Sequence, residues 1–327
     1  MYPNGLIKLS RRIYSKFQKN IKPVKETGNY FGNPVLSWEG GNDLIFEKIT
    51  AGKPLMVTRI GHTELTVLRN YYEIEELKHY NFIRRFWAET KYKDADWSDL
   101  NRRAIHFSSG FFPVTSENLY RFCEIYFESL KQIDALGVWY NYYEDILTHR
   151  YCPDAGLIPL QSLEPYYFEN PWSRALKDKK VLVVHPFEES IRKQFEKREK
   201  LFENPGILPP FKLEIVKAVQ GAADHKNEFN SWFEGMEHMK EEIRKKDFDI
   251  ALIGAGAYGL PLAAYVKSLG KQAIHVGGAL QIFFGIIGAR WYNIPAISKF
   301  FNEHWTKPTP EETPEKHREF EGGTGYW

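Results

Sequence analysis

Cysteine is almost missing from this chain: Cys123 and Cys152 are the only two in 327 residues, and they stand far apart without CxxC spacing. That scarcity excludes a disulfide framework and a cysteine-built zinc site, and it fits a reducing, cytoplasmic setting. An excess of one charge is missing too. Lys and Arg number 44 against 42 Asp and Glu, so the chain as a whole lacks the basic surface that nucleic acid demands, and no nucleic-acid partner is expected. No apolar run reaches the roughly 18 residues of a membrane span, and the N-terminus lacks the apolar core and small-residue cleavage site of a secretory signal. What the chain does have is 43% hydrophobic and 16% aromatic residues, enough to bury the core of one large α/β domain or two smaller ones.

Positive charge does gather at one place. In NGLIKLSRRIYSKFQKNIK, Leu6, Leu9, Ile13 and Phe17 can share a helix face, surrounded by Lys8, Arg11, Arg12, Lys16, Lys19 and Lys22. Residues 1–30 thus read as a basic amphipathic segment. Such a helix either packs on its own domain or lies on an anionic membrane surface, which would be a peripheral contact at the inner face of the cell membrane.

A Gly/Asn/Pro-rich connector then leads through a short helix into the apolar run PLMVTRI. Residues 66–150 read mainly helical and very aromatic, with Phe82, Phe86 and Trp87, then Leu119, Phe122, Tyr126 and Leu130 at helical spacings. From Lys180 onward the pattern alternates: KVLVVHPF, FKLEIVKAV, FDIALIGAG and KQAIHVGG are strand-like and are separated mostly by helical stretches. Alternation of that kind predicts an α/β fold, an open, mostly parallel Rossmann-like sheet with helices on both faces. Ligands of such sheets bind outside the carboxyl ends of the strands, which singles out the loops beginning at Ile60, His185, Gly254 and His275. The segment after Trp305 is polar and rich in Pro and Gly, and is expected to be an extended surface tail.

Each of these loops admits a chemical reading and a plainer one. Gly254, Gly256 and Gly259 in GAGAYG satisfy G-x-G-x-x-G between a strand and a helix, where backbone N–H groups and the helix dipole favour phosphate. The same glycines also allow tight packing of helix on sheet. A dinucleotide site wants an acid about 20 positions later, and Ile274-His275-Val276-Gly277-Gly278 stands there instead. That counts against NAD and FAD and leaves other phosphate-bearing ligands open. Gly277 and Gly278 can bring backbone close to a ligand, Gln281 can read a base or sugar edge, and His275 either touches phosphate or fills the core. Arg290 suits a phosphate clamp or a surface ion pair equally. After the strand ending at His185, Glu188 and Glu189 stand in the turn before a helix starting near Ser190. One of them can serve as a general base, or both can simply complement the helix dipole while Ser190 caps.

PLMVTRIGHTEL delivers an apolar strand into Arg59, Gly61, His62 and Glu64. An H-x-E pair can ligate Mn²⁺ or Mg²⁺, ions that complete their shells with substrate phosphates and water, and Arg59 can neutralise phosphate oxygens. Equally, the stretch can be a helix N-terminus with Glu64 in its first turn.

RIGHTEL resembles the R-[FY]-G-D-G-E segment of the bacterial GT-D-type glycosyltransferases, and FDIALIGAGAYGLPLAAYVKSLGKQAIHVGG resembles that family's late strand, glycine turn, helix and strand. The region from about Pro54 to Arg290 is also similar to uncharacterised bacterial proteins found with surface-polysaccharide genes, with HPFEESI, LIGAGAYG and GGALQIFFGIIGARW the most specific blocks. Here His62 stands where the family has its first acid and Thr63 where it has a glycine, while Arg59, Gly61 and Glu64 are retained. The resemblance implies a GT-D-like catalytic domain over 31–300, helical over about 66–178 and nucleotide-binding over about 179–292, followed by a tail over 301–327. It implies transfer of a sugar from a nucleotide-sugar donor to a glycan or lipid-linked glycan acceptor. On that reading Arg59, Gly61, Ser190, Gly254, Gly256, Tyr258, Gly259, His275, Gly277, Gly278 and Gln281 would hold the donor, His62 and Glu64 a metal, and Glu188 and Glu64 would carry the chemistry. Trp87, Trp97, Phe111, Phe112, Trp139 and Tyr140 would offer sugar-stacking platforms or belong to the core. Two other functions stay open: a non-catalytic nucleotide- or glycan-binding component of a polysaccharide assembly complex, and a nicotinamide-dependent oxidoreductase using GAGAYG.

Overall fold

The computed structural model describes residues 30–78 and 97–327. The basic N-terminal segment, apart from Tyr30, and Phe82, Phe86 and Trp87 lie outside the described residues.

Seven strands form one open sheet in the order β3-β2-β1-β7-β6-β4-β5. They are β1 (Leu55–Arg59), β2 (Ala135–Val138), β3 (Gly156–Pro159), β4 (Lys180–His185), β5 (Lys212–Lys217), β6 (Ile250–Ile253) and β7 (Gln272–His275). Every pairing between neighbours is parallel. The expected open α/β sheet is therefore present and is wholly parallel. Two strands escaped the sequence reading: β2 (ALGV), inside residues 66–150 taken as mainly helical, and β3 (GLIP), just after them. Four residues are too few for periodicity to separate a buried strand from a piece of helix.

Side-chain alternation along the strands builds two cores. Met56, Leu136, Leu182, Val184, Ala251, Ile253 and Ala273 point to one face. Val57, Ala135, Val181, Val183, Ile250, Leu252 and Ile274 point to the other. Both faces being apolar, the central strands read as continuous hydrophobic runs, which is what helices on both sides require. The first face is covered by α2 (His62–Lys78), α3 (Asp99–Ser109), α4 (Ser116–Leu130), α7 (Trp232–Arg244) and α8 (Gly259–Ser268). The second is covered by α1 (Trp38–Thr50), α6 (Glu188–Phe195) and the chain after β7. Ser37, Ser98, Thr115 and Ser231 each accept a backbone N–H at a helix start, fixing where α1, α3, α4 and α7 begin. Between α4 and α6 lies α5 (Glu144–Tyr151), and after α8 come two single-turn helices, α9 (Leu280–Phe283) and α10 (Pro295–Ser298).

Two features of this architecture place the site. Strand β4 hands on to β5 at the sheet edge, while its neighbour β6 hands on inward to β7, so the connections leaving β4 and β6 run opposite ways and open a crevice between them. The segment after Trp305 is no loose tail. Trp305 and Phe320 are buried in it, Glu312 is 4% exposed, and Tyr326 and Trp327 pack against the second core. Among the described residues no helix is long and apolar enough to cross a membrane.

Candidate functional site

A cavity of about 260 Å³ opens at the carboxyl edge of the sheet, walled by residues that follow β1, β2, β4, β5, β6 and β7. From β1 the chain delivers Arg59, turns at Gly61 and enters α2 at His62. Glu64, 6% exposed, folds its carboxylate back over the turn: a Cβ on residue 61 would stand 1.9 Å from Glu64 Oε2. Glycine at 61 is thus what lets Glu64 occupy the wall. The guanidinium of Arg59 lies 4.0 Å from the centre of the Trp139 ring, supplied by the loop after β2. Its Nε is buried and bonds to nothing among the described residues.

Facing Arg59 is the turn after β7. Val276 is right-handed (φ −83°) and Gly277 left-handed (φ +76°), an alternation that turns successive N–H groups inward to form an anion-binding nest. A Cβ on Gly277 would come 3.2 Å from Arg59 Nη1, so cation and nest share one spot. The N–H groups of Gly277 and Gly278 donate to no carbonyl among the described residues. The turn after β6 is similar: Gly256 has φ +51°, a Cβ there would meet the Ser109 carbonyl at 3.0 Å, and one turn of 3-10 helix leads into α8. Tyr126 on α4 holds this turn by donating its hydroxyl to the Ala257 carbonyl at 2.6 Å. Burial, reinforced by the Glu64 charge, pushes the Tyr126 phenol well up, so it stays a donor.

Two imidazoles end their strands in the wall. Burial lowers His185 from 6.5 to about 3, and its Nδ1 accepts the Phe187 N–H at 3.0 Å, which leaves the proton on Nε2. His275 is lowered to about 3 by burial and by the neighbouring Arg59 charge, and its Nδ1 is 2.9 Å from Thr58 Oγ1. Both rings are neutral near pH 7. They therefore contribute hydrogen bonding to the wall and no charge.

The C-terminal segment closes the remaining side. Tyr326 and Trp327 line the cavity. Gln281 Nε2 donates to the Tyr326 carbonyl at 2.9 Å, Arg290 Nη1 donates to the Tyr326 hydroxyl at 3.0 Å, and the Arg290 guanidinium lies 4.5 Å from the centre of the same ring. A Cβ on Gly278 would overlap the Tyr326 ring at 2.1 Å, so the Tyr326 ring rests directly on the Gly278 backbone.

Arg59, Gly61, His62 and Glu64 share this cavity with Gly254, Gly256, His275, Gly277, Gly278 and Gln281. Their placement differs from expectation in detail. Tyr258 reaches the wall with its ring stacked on Trp232, but its hydroxyl points to Gly235 on α7 and finds no partner among the described residues. Gln281 spends its amide donors on Ile286 and Tyr326, and its buried Oε1 has no partner among the described residues. Gly259 is outside the wall and makes room for the His275 ring, 2.2 Å from where a Cβ would be. Glu188 is outside it as well and pairs with Arg192 at 3.0 Å, one turn along α6. Ser190 bonds to Glu312 through its hydroxyl, and Glu312 Oε1 accepts the N–H groups of Glu189 and Ser190 at 2.8 and 3.1 Å. The protein's own carboxylate thus fills the N-terminus of α6, where a substrate anion was expected. Of the aromatic platforms, Trp97 and Phe111 are core, Phe112 is half-buried, Trp139 lines the cavity and Tyr140 is exposed.

Glu64 is the one carboxylate in the described wall, with exposed His62 beside it, its Nδ1 3.2 Å from Asn141 Oδ1. No three His, Cys, Asp or Glu side chains converge on a metal position among the described residues. One buried carboxylate and one imidazole with Nε2 free of this contact still suit a hard divalent ion that takes its other ligands from phosphate and water.

Sequence reasoning missed Tyr126, Tyr326 and Trp327. Two large rings closing an otherwise polar Gly-rich run, GGTGYW, were a signal of burial, because a solvated tail gains nothing from them. Residues 164–283 match the family model of a GT-D fold-like domain. That span carries β4 to β7 with the glycine turns after β6 and β7, while Arg59, His62 and Glu64 come from β1 and its exit, outside the match. Comparison with curated proteins and with solved structures gives no match.

Proposed function

We propose that this protein is a glycosyltransferase that takes a sugar from a nucleotide-sugar donor and passes it to a glycan acceptor of bacterial surface polysaccharide biosynthesis. The observation that carries the reading is the contact of Arg59 with the Gly277 nest inside a cavity at the carboxyl edge of a parallel sheet. A diphosphate carries only acceptor oxygens and negative charge, and this spot offers a cation and backbone N–H groups without carbonyls. The GT-D fold-like match over β4 to β7 supports the same substrate class.

In this reading Arg59 and the nest, fixed before the donor arrives, stabilise the charge that develops on the departing nucleotide. Glu64 and His62 would hold Mn²⁺ or Mg²⁺, which when bound supplies further positive charge to the leaving diphosphate. Gln281, fully buried, holds the Tyr326 carbonyl and so shapes the wall beside the donor. Glu188, tied to Arg192 on the outer side of α6, has no part in it.

The test is a thermal-shift screen of nucleotide sugars with and without Mn²⁺, on the wild type, Arg59→Ala and Glu64→Gln. A ligand at about 100 times its Kd stabilises the folded state by about 2.7 kcal/mol. The expected outcome is a base-dependent shift in the wild type, its near loss in Arg59→Ala, and loss of only the Mn²⁺-dependent part in Glu64→Gln. Equal shifts in the wild type and Arg59→Ala would remove the basis of the proposal. Release of free sugar or its transfer to glycan in the wild type separates an enzyme from a binding protein.

A further inference from the structure

Across the crevice from Arg59, strand β4 ends in a histidine whose two ring nitrogens are treated differently. The strand end is pinned on both sides: the Gly254 N–H donates to the Val184 carbonyl at 2.9 Å, and the Ala218 N–H to the His185 carbonyl at 3.1 Å. Pro186 follows, without an N–H to continue the ladder, and the chain turns there. The turn brings the Phe187 N–H to His185 Nδ1 at 3.0 Å and sets the Phe187 ring edge-on to the imidazole, 4.7 Å between centres. One tautomer is thereby selected, with the proton on Nε2.

Nothing in the described protein receives that proton. Nε2 bonds to none of the described residues and is not among their sealed polar atoms, so the ring, 3% exposed, keeps this edge open to the cavity that it lines. Burial is the sole cause of its lowered pKa, so no carboxylate stands near enough to compete for the N–H. A buried donor of this kind asks for an oxygen from outside the chain.

Its neighbours say which oxygen. A Cβ on Gly254 would stand 2.7 Å from His185 Cδ2 and 2.8 Å from the Gly277 carbonyl, so the imidazole lies beside the turn that forms the nest. In the sheet, β7 and β4 are separated by β6 alone, about 10 Å between strand axes, and the ring leans back over the Gly254 backbone. Arg59 reaches the same turn from β1 on the other side. A single phosphate seated between Arg59 and the nest leaves the imidazole empty, whereas two linked phosphates span the turn.

We infer that His185 is a further phosphate-binding residue of this site: one phosphate of a diphosphate lies between Arg59 and the Gly277 nest, and the other accepts the Nε2–H of His185. That the diphosphate belongs to a sugar nucleotide rests on the donor reading above; the pairing of nest and imidazole as a diphosphate site does not. Being neutral, the ring holds the second phosphate by direction rather than by charge.

Nitrogen-15 NMR of the full chain labelled at histidine tests this at pH 7.5, with inorganic pyrophosphate and inorganic phosphate as probes. The His185 signal is the one missing from His185→Asn and from His185→Gln, so either variant identifies it, and thermal unfolding reports that each folds. Pyrophosphate is expected to move the Nε2 resonance saturably, and phosphate at the same concentration to leave it in place. The two variants separate a ligand contact from a structural one. Asn keeps an acceptor for the Phe187 N–H but extends no donor into the cavity, while the longer Gln extends its amide N–H to where Nε2 stood. Pyrophosphate affinity should therefore stay within about threefold of the wild type in His185→Gln and fall about tenfold in His185→Asn, the loss of a hydrogen bond to a charged oxygen. Failure of pyrophosphate to bind, an unmoved His185 resonance, or equal affinity in the wild type and His185→Asn overturns the inference. Nucleotide sugars that bind while His185 stays unmoved would sink this role and leave the donor reading intact. His185-dependent pyrophosphate binding without any nucleotide-sugar shift would sink the donor reading and leave the diphosphate site standing.

Discussion

His185 and His275 make the folded state sensitive to mild acid. Each is buried at a strand end and lowered to about 3, whereas an unfolded chain binds the proton near pH 6.5. The sign follows directly. Above pH 6.5 neither state takes up protons at these rings and their contribution to stability is fully present. Below it the unfolded chain binds two protons that the folded protein refuses, so stability falls as pH falls, down to the folded values near 3. Between pH 7.5 and 5.5 each ring accounts for about 1.4 kcal/mol, and the pair for about 2.7 kcal/mol. His225, lowered by burial and the Lys217 charge, adds in the same direction. Denaturant unfolding at the two pH values measures the loss as a shift of midpoint at constant slope. His185→Asn keeps an acceptor for the Phe187 N–H and removes the titration, so its loss over this window is expected to be about 1.4 kcal/mol smaller than that of the wild type. A stability that is flat or rises towards pH 5.5, or a His185→Asn variant as acid-sensitive as the wild type, would refute the picture of two rings held neutral by burial.

The other expectations concern the cavity wall and its supports. Gly61→Ala meets only the mobile end of Glu64, and Gly61 is not among the left-handed glycines, so it should cost less than about 1 kcal/mol and displace the carboxylate. If Glu64 serves a metal, the Mn²⁺-dependent thermal shift disappears with it, and a retained shift would clear Glu64 of that role. Glu312→Ala leaves Ser190 and the first N–H groups of α6 without their acceptor inside the protein. A loss on the order of 3 kcal/mol in urea unfolding is expected, and a loss below about 1 kcal/mol would mean that water replaces the carboxylate. Gly278→Ala drives a methyl into the Tyr326 ring and should cost about 1–3 kcal/mol by overpacking. Limited proteolysis should then cut the chain after Trp305 faster than in the wild type, and equal rates would show that the ring simply shifts aside.

Much of the fold was written locally. Runs such as KVLVV and DIALI are apolar on both faces, which obliges a parallel sheet with helices on either side, and that sheet obliges ligands to its carboxyl edge. The loops after Arg59, His185, Gly254 and His275 do meet at one cavity, because periodicity and turn chemistry depend only on neighbours in sequence. ALGV and GLIP were not legible, since so short a run becomes a strand only by finding β1 and β2 beside it. Glu188 shows the limit at the site: standing in the right turn, it is aimed outward by the α6 helical phase and held by Arg192.

Residue types at strand ends were thus fixed by the sequence, while the occupants of the spaces between them were decided in three dimensions. Glu312 lies 122 residues from the Ser190 it binds, and Gln281 meets the Tyr326 carbonyl 45 residues on. Neither pairing has a local signature, because the apolar surface that pulls the C-terminal segment onto the sheet exists only once the sheet has formed. The same holds for the opposition of Arg59 and Gly277, which lie at the carboxyl ends of strands adjacent in the sheet and are 218 positions apart in the chain.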